Sequence, residues 1–192
     1  MRRGGPVLAA CMAGLVLSGS PVQASTTLAP GGLPGPRPGC PPQPGTAAPA
    51  AEPWAQQALR FASVWNRTRG GGVTVAVVDS GVDANPQFGH RVIIGPDLAG
   101  PAGAGAWYRP NADCVGHGTS MAGIIAAAPM AGVSFTGVAP AASILSIKIS
   151  SSDTFPTAVT PQAIRDAVRL GARVVNLSLA TTDDVPALRA AV

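Results

Sequence analysis

Short segments rich in apolar residues recur along the second two thirds of this sequence. Residues 73–78, 143–148 and 172–177 are each rich in valine, isoleucine or leucine. Residues 73–78 show no alternation of apolar and polar positions, which is typical of a strand buried on both faces. Predicted helices separate the runs, so the pattern is βαβ and predicts an α/β fold with a parallel sheet.

The segments between these runs carry helix signals. Residues 117–128 are small and apolar apart from their first positions, as expected of a helix packed closely between neighbours. A second helix is predicted with Thr160 as its N-cap, Pro161 as its first residue and Gly171 at its end. Pro186 is predicted to begin a further helix.

The first 53 residues have a different composition. Arg2 and Arg3, an apolar stretch over residues 7–17 and Val22-Gln23-Ala24 predict a signal peptide over residues 1–24. The apolar stretch is short for a membrane span. Residues 8–11 resemble a lipoprotein box, but too little hydrophobic sequence precedes Cys11.

Residues 25–53 are rich in proline, glycine, alanine and threonine, which predicts an extended N-terminal arm with little to bury. After removal of the signal, Cys40 and Cys114 are the remaining cysteines. An even pair in an exported protein favours a disulfide, and two unpaired thiols are the alternative. The bridge would tie the arm to the residue three before His117.

Charge and metal-ligand spacing exclude several function classes. The net charge of +4 includes Arg2 and Arg3, and no basic cluster with interleaved aromatic residues remains, so nucleic-acid binding is not predicted. No group of histidine, cysteine or carboxylate residues has metal-ligand spacing. Asp183 and Asp184 are interpreted as the polar start of the next helix and not as a calcium site. The sequence predicts neither a metal nor a cofactor.

Asp79 is the first charge after the apolar run 73–78. Catalytic groups of open α/β sheets gather at the carboxyl ends of the strands. A buried carboxylate has to be paired or hydrogen-bonded, and an imidazole N–H is a suitable partner. The alternative is that Asp79 caps the following turn, in which Gly81 supplies the unusual dihedral angle.

His117 lies between Gly116 and Gly118 at the start of a predicted helix, 117 − 79 = 38 residues after Asp79. The glycines let the backbone bend and leave the imidazole accessible from one side. His90, in contrast, has the character of a surface residue. We therefore predict that Asp79 and His117 approach within hydrogen-bonding distance.

These motifs resemble those of the subtilisin-type serine proteases, the subtilase family. The resemblance runs from about Trp54 to the end of the chain and rests on three motifs, at residues 77–83, 116–126 and 174–179. It implies a three-layer αβα subtilisin-like fold with a mostly parallel sheet, of which the sequence holds roughly the first half. Residues 54–192 are then a catalytic domain that is incomplete at its C-terminus.

The resemblance also implies roles for individual residues. Asp79 would orient His117, and His117 would be the general base of an endopeptidase that works through an acyl-enzyme. Ser178, Leu179 and Ala180 would line the substrate cleft, although the family usually has a glycine where Ala180 stands.

A narrower resemblance is to the mycosins, the subtilases associated with type VII secretion in actinobacteria. It rests on residues 53–57, 68–79 and 113–117. It implies a polypeptide substrate, association with a type VII secretion complex and a secreted or extracytoplasmic location in the cell envelope. It leaves open whether a full-length parent is anchored in the membrane by a C-terminal helix that is absent here.

The family's nucleophile has no convincing counterpart. Only 192 − 117 = 75 residues follow His117, whereas in subtilisin the serine lies on the order of 150 residues further on. Ser120 lies in a Gly-Thr-Ser-Met-Ala stretch like the one that surrounds that serine, but we interpret it as a helix residue that faces elsewhere.

We therefore expect the chain as given, a gene fragment or a frameshifted reading, to lack the serine and the oxyanion asparagine and to be inactive. A non-catalytic subtilase-like binding module of a secretion complex is the first alternative. An α/β ligand-binding domain that uses Asp79 is the second.

Overall fold

Four parallel strands form one sheet in the computed structural model of the chain. The structure describes Cys40, Pro49 and residues 51–100, 111–152 and 154–192. In sequence order the strands are β1 (Thr74–Asp79), β2 (Val92–Asp97), β3 (Ser143–Lys148) and β4 (Val174–Asn176). Their spatial order is β2-β3-β1-β4, and each neighbouring pair is parallel. The predicted parallel α/β sheet is confirmed.

The helices, in sequence order, are α1 (Trp54–Leu59), a short 3-10 helix (Phe61–Val64), α2 (His117–Ala126), α3 (Thr160–Arg169) and α4 (Pro186–Arg189). None of the helices in the described ranges is long and apolar enough to cross a membrane. The predicted signal peptide, residues 1–24, lies outside the described residues, as does most of the predicted arm, residues 25–53.

Strand β1 is buried on both of its faces because α2 and α3 pack on opposite sides of the sheet. Val75 and Val77 belong to one apolar cluster, together with Ala122 and Ala126 of α2. The alternate residues of β1, Ala76 and Val78, belong to a second cluster that includes Ala163 and Ala167 of α3. Successive strand residues point to opposite faces, so the continuous apolar run of β1 serves two cores at once. This is the expected three-layer arrangement.

Strand β2 was not predicted. Its sequence is Val-Ile-Ile-Gly-Pro-Asp, and the pairing with β3 shifts register between Ile94 and Asp97, around Gly95 and Pro96. Proline and glycine within a strand are typical of edge strands and bulges. Gly95 has a packing reason, because a Cβ there would lie 2.7 Å from the carbonyl oxygen of Ser146.

The start of α3 differs from the prediction. Val159 is the N-cap and Thr160 is the first helical residue, with no side-chain capping bond. The Thr160 hydroxyl instead donates to the carbonyl oxygen of Pro156 at 3.0 Å. The N-cap assignment to Thr160 was therefore wrong, because its buried hydroxyl found an acceptor one turn earlier. Gly171 follows the helix with φ +85°, the left-handed conformation expected of a residue that ends a helix.

The last predicted helix begins at Pro186 as expected, with Val185 as its N-cap. Asp183 and Asp184 lie just before it instead of within its first turn. Asp184 forms an exposed ion pair with Arg189, with 3.2 Å between the carboxylate oxygen and the guanidinium nitrogen.

The predicted disulfide between Cys40 and Cys114 is present, with 5.1 Å between the two Cα atoms. The bridge closes a loop of 74 residues in sequence. A cross-link of this length stabilises a fold by about 4 kcal/mol when its main effect is on the entropy of the unfolded chain. It attaches Cys40 of the arm to a residue that is itself almost completely buried.

Candidate active site

Asp79 and His117 meet at the carboxyl end of the sheet. Nδ1 of His117 lies 2.8 Å from Oδ1 and 2.9 Å from Oδ2 of Asp79. Asp79 is the last residue of β1 and is 1% exposed, whereas the side chain of His117 is 38% exposed. The expected approach of the two side chains is therefore present. A buried carboxylate thus holds one ring nitrogen of a side chain that is itself partly open to solvent.

Asp79 also caps the turn that follows β1, so the two interpretations of this residue are compatible. Its Oδ1 accepts a hydrogen bond from the backbone N–H of Ser80 at 2.7 Å. Gly81 has φ +110°, and a Cβ there would lie 3.2 Å from the carbonyl oxygen of Ala112. The turn brings the backbone after β1 close to the loop that precedes α2.

The glycines beside His117 have separate structural reasons. Gly116 is the N-cap of α2 and has φ +87°, a backbone angle that residues other than glycine rarely adopt. A Cβ on Gly118 would lie 2.1 Å from the carbonyl oxygen of Gly81 and 3.1 Å from Cβ of Asp79. The absence of a side chain at Gly118 is what allows α2 to begin directly against the end of β1.

Asp113 is a residue of the site that the sequence did not indicate. It is fully buried, and its carboxylate accepts hydrogen bonds from Ser80 Oγ at 2.7 Å and from the backbone N–H of Gly116 at 2.7 Å. Its other oxygen accepts hydrogen bonds from the N–H and the hydroxyl of Thr119, at 2.8 and 2.6 Å. In the sequence it belonged only to the mycosin-like stretch 113–117 and had no role of its own, because a lone aspartate in a polar loop carries no pattern.

Lys148 is a second buried charge near the site. It ends β3, is 1% exposed and donates a short hydrogen bond to the carbonyl oxygen of Ala112. Burial lowers the pKa of Lys148, while the charges of Asp97, Asp113 and Asp83 act in the opposite direction. The carboxylates of Asp97, Asp113 and Asp83 thus have a buried cation in their vicinity.

Phe155 is the third residue that the sequence did not indicate. Its ring centroid lies 5.8 Å from that of His117, and the two planes are inclined by 56°. Phe155 also packs against the α3 side of the core. One side of the imidazole therefore has an apolar neighbour that is fixed by the fold. His90 is exposed and belongs to no such arrangement.

A family model described as the subtilase family matches residues 70–192. The chain belongs to the subtilase family. Curated relatives include mycosin-4 from Mycobacterium tuberculosis, which is 41% identical over 127 residues covering 60% of this chain and 26% of mycosin-4. Thermitase from Thermoactinomyces vulgaris is 36% identical over 137 residues, covering 67% of this chain and 45% of thermitase.

Two solved structures show the same fold. The MycP3 protease from the type VII (ESX-3) secretion system matches with a TM-score of 0.56 and 32% identity, over 77% of this chain and 43% of that one. The periplasmic assembly from the ESX-5 inner membrane complex matches with a TM-score of 0.60 and 30% identity, over 78% and 44%. The chain thus spans about a quarter to a half of the length of these relatives. It is a subtilase that resembles the mycosins.

The segment that the subtilase resemblance assigns to the substrate follows β4. Ser178 and Leu179 are partly buried and Ala180 is exposed. The hydroxyl oxygen of Ser178 accepts a hydrogen bond from the side-chain amide of Asn176 at 2.9 Å. The three residues follow shortly after the end of β4 in sequence, and their role in substrate binding stays a prediction.

Ser120 is an exposed residue in the first turn of α2. Its hydroxyl donates to the carbonyl oxygen of Gly116 at 2.8 Å, so it is directed back along its own helix. Among the residues that the structure describes, no serine hydroxyl forms a hydrogen bond with the ring of His117, and no group of three or more potential metal ligands occurs.

Proposed function

We propose that this chain supplies the base and the orienting carboxylate of a subtilase serine endopeptidase. The observation that carries the proposal is the contact of His117 Nδ1 with both carboxylate oxygens of Asp79. A carboxylate at Nδ1 keeps the proton on that nitrogen, so Nε2 is the nitrogen with a lone pair for proton transfer. The partial exposure of the ring gives a substrate access to that nitrogen.

In this mechanism Nε2 of His117 accepts the proton of a serine hydroxyl as the serine oxygen attacks the carbonyl carbon of a peptide. The imidazolium, stabilised by Asp79, then gives that proton to the leaving amine, and water releases the acyl group in a second cycle. Ser178, Leu179 and Ala180 are proposed to bind the substrate backbone. Since Ser120 is directed towards Gly116, we propose that the nucleophilic serine is supplied from outside these 192 residues.

The proposal is tested with a fluorophosphonate probe and with unfolded casein. The 192-residue chain is expected to be neither labelled nor active. The same chain extended by the sequence encoded downstream is expected to be labelled, and His117→Ala in the extended form should abolish the labelling. Labelling of the 192-residue chain that disappears in Ser120→Ala would show that Ser120 is a nucleophile after all. Failure of every extended form would favour a non-catalytic role.

A second candidate function is that of a binding module in a type VII secretion complex. The observation in its favour is the similarity to the periplasmic assembly from the ESX-5 inner membrane complex. The Cys40–Cys114 disulfide supports an extracytoplasmic location in the cell envelope, because such bonds persist in oxidising compartments. Co-purification of the tagged chain with membrane components of a type VII system would support this role, and would be independent of the activity assay.

We also propose the domain boundaries that the sequence predicted, namely a signal peptide over residues 1–24, an extension over residues 25–53 and the subtilase domain over residues 54–192. N-terminal sequencing of exported material should begin at Ser25. Material found in the cytoplasm with Met1 intact would contradict both the boundary and the location.

A further inference from the structure

Asp113 connects the two elements that carry Asp79 and His117. The first turn of α2 has backbone N–H groups without partners inside the helix, as every helix does. Its N-cap, Gly116, has no side chain with which to accept them. Asp113 does so from outside the helix, through the N–H of Thr119 at 2.8 Å. It also accepts the N–H of Gly116, on the other side of His117, at 2.7 Å.

Ser80 completes this connection from the β1 side. Its hydroxyl oxygen lies 2.7 Å from Oδ1 of Asp113 and 3.2 Å from Oδ1 of Asp79. A hydroxyl has one proton, and the shorter distance assigns it to Asp113. The same oxygen accepts the N–H of Gly118 at 3.0 Å. The backbone on both sides of His117 is thus held by one buried carboxylate and the serine bound to it.

The position of the Ser80 proton affects the charge on Asp79. While Asp113 accepts that proton, Oδ1 of Asp79 receives the Ser80 N–H and faces the ring of His117. If Asp113 could no longer accept it, the hydroxyl would turn to Oδ1 of Asp79, which lies 3.2 Å away. A further donor on that atom would weaken the hydrogen bond to His117 and reduce its preference for one tautomer.

We propose that Asp113 is a positioning residue of this site, which holds His117 in the orientation and tautomer that Asp79 requires. The proposal rests on the proposed function of the Asp79–His117 pair, but it concerns the geometry of that pair and not the chemical step. A buried cation lies near Asp113, since Lys148 donates to the carbonyl oxygen of the preceding residue, Ala112. Its buried oxygens also have hydrogen-bond donors on both sides, as a buried carboxyl group requires.

The test is a measurement of the His117 tautomer by NMR in the chain labelled with 15N at histidine. The chain has two histidines, so exposed His90 serves as an internal reference in every sample. At about pH 8, where an ordinary histidine is neutral, the 15N shifts distinguish a ring protonated at Nδ1 from one protonated at Nε2. Wild type should show His117 protonated at Nδ1, with a downfield Nδ1–H proton signal.

Asp113→Asn is the deciding variant because it keeps the size of the side chain. An amide presents one oxygen, whereas both oxygens of Asp113 accept hydrogen bonds, so its NH2 group must face either the Ser80 side or the Thr119 side. We expect the His117 tautomer ratio to move towards that of His90 and the downfield signal to be lost. The matched control is Asp166→Asn, another buried aspartate, on α3, which should leave the His117 spectrum unchanged.

A folded Asp113→Asn chain that keeps the wild-type tautomer and downfield signal would overturn the proposal. If Asp113→Asn does not fold, Thr119→Val decides by the same criterion, since it removes the hydroxyl that donates to Oδ2 of Asp113. The spectrum requires neither a nucleophile nor a substrate. A tautomer shift in a protein that never shows peptidase activity would support the positioning role and contradict the proposed function alone.

Discussion

Asp79 and Lys148 occupy paired positions at the carboxyl ends of β1 and β3, and each is 1% exposed. The pairing places a carboxylate and an ammonium group at neighbouring points of the same sheet edge. Asp79 binds His117, whereas Lys148 binds the carbonyl oxygen of Ala112 in the loop before α2. The two strand ends thus support α2 and the loop that precedes it from different sides.

The buried ammonium of Lys148 predicts a pH dependence of stability. Burial lowers its pKa in the folded state from the usual 10.5. Between the lowered pKa and about 10.5 the unfolded chain binds more protons, so the contribution of Lys148 to the free energy of unfolding rises with pH in that window and is constant below it. The difference in unfolding free energy between wild type and Lys148→Met should therefore shift in favour of wild type as the pH approaches 10.5.

Urea unfolding of both proteins at several pH values from 7 upwards measures this difference, with roughly 1 kcal/mol resolvable between conditions. A difference that falls as the pH rises would mean that the folded state holds the Lys148 proton more tightly than the unfolded chain does, contrary to the effect of burial.

Strand β1 and the helix after His117 were predictable because their signals are local. A continuous apolar run and a histidine between glycines each identify their own structure. Strand β2 was not predictable, because Gly95 and Pro96 interrupt the pattern and are tolerated only through the register shift against β3.

Asp113 was missed for a different reason. Its partner Ser80 is 33 residues away in sequence, so the contact that gives it a role exists only after β1 and the loop have met. Threonine is a residue type favoured at N-caps, but in Thr160 a contact with the carbonyl oxygen of Pro156 determines where the hydroxyl points. Long-range contacts of polar side chains are the part of this site that the sequence pattern did not contain.

The disulfide predicts a loss of stability on reduction. Opening the Cys40–Cys114 bridge should lower the melting temperature by roughly 10 °C, from the loss of about 4 kcal/mol. Non-reducing peptide mapping should first show the two cysteines linked. The control is Cys40→Ala, which cannot form the bridge, so a reductant should no longer change its melting temperature. An equal effect of the reductant on both proteins would place its action elsewhere.

Replacing Arg91 by lysine should lower the free energy of unfolding even though the positive charge is kept. Its guanidinium donates to the carbonyl oxygens of Ala142 at 2.7 Å, of Gln87 at 2.7 Å and of Ala126, the last residue of α2, at 2.9 Å. Arg91→Lys keeps the charge but loses the fork that reaches three acceptors. We expect a decrease of about 1–3 kcal/mol in the free energy of unfolding.

The control for this variant is Arg165→Lys on the exposed side of α3, whose guanidinium contacts the side chain of Gln162 at 3.3 Å. It should change the free energy of unfolding by less than about 0.5 kcal/mol. Equal losses from both substitutions in urea unfolding would mean that the three carbonyl contacts of Arg91 do not contribute specifically.

Substitution by alanine should have opposite effects on the free energy of unfolding at the two glycines of α2, Gly118 and Gly123. A Cβ at Gly118 would lie 2.1 Å from the carbonyl oxygen of Gly81, which is backbone and cannot move aside without displacing the end of β1. Gly118→Ala should therefore lower the free energy of unfolding by at least about 2 kcal/mol and separate His117 from Asp79. A Cβ at Gly123 would meet only Phe135, at 3.8 Å, an ordinary contact. Gly123→Ala should raise the free energy of unfolding by about 0.5–1 kcal/mol, because alanine restricts the unfolded chain.

Urea unfolding of both variants gives the two values, and the histidine spectrum shows whether the Asp79–His117 contact survives. If Gly118→Ala were as stable as Gly123→Ala, the close approach of α2 to the turn after β1 would be wrong, and with it the account of how His117 reaches Asp79.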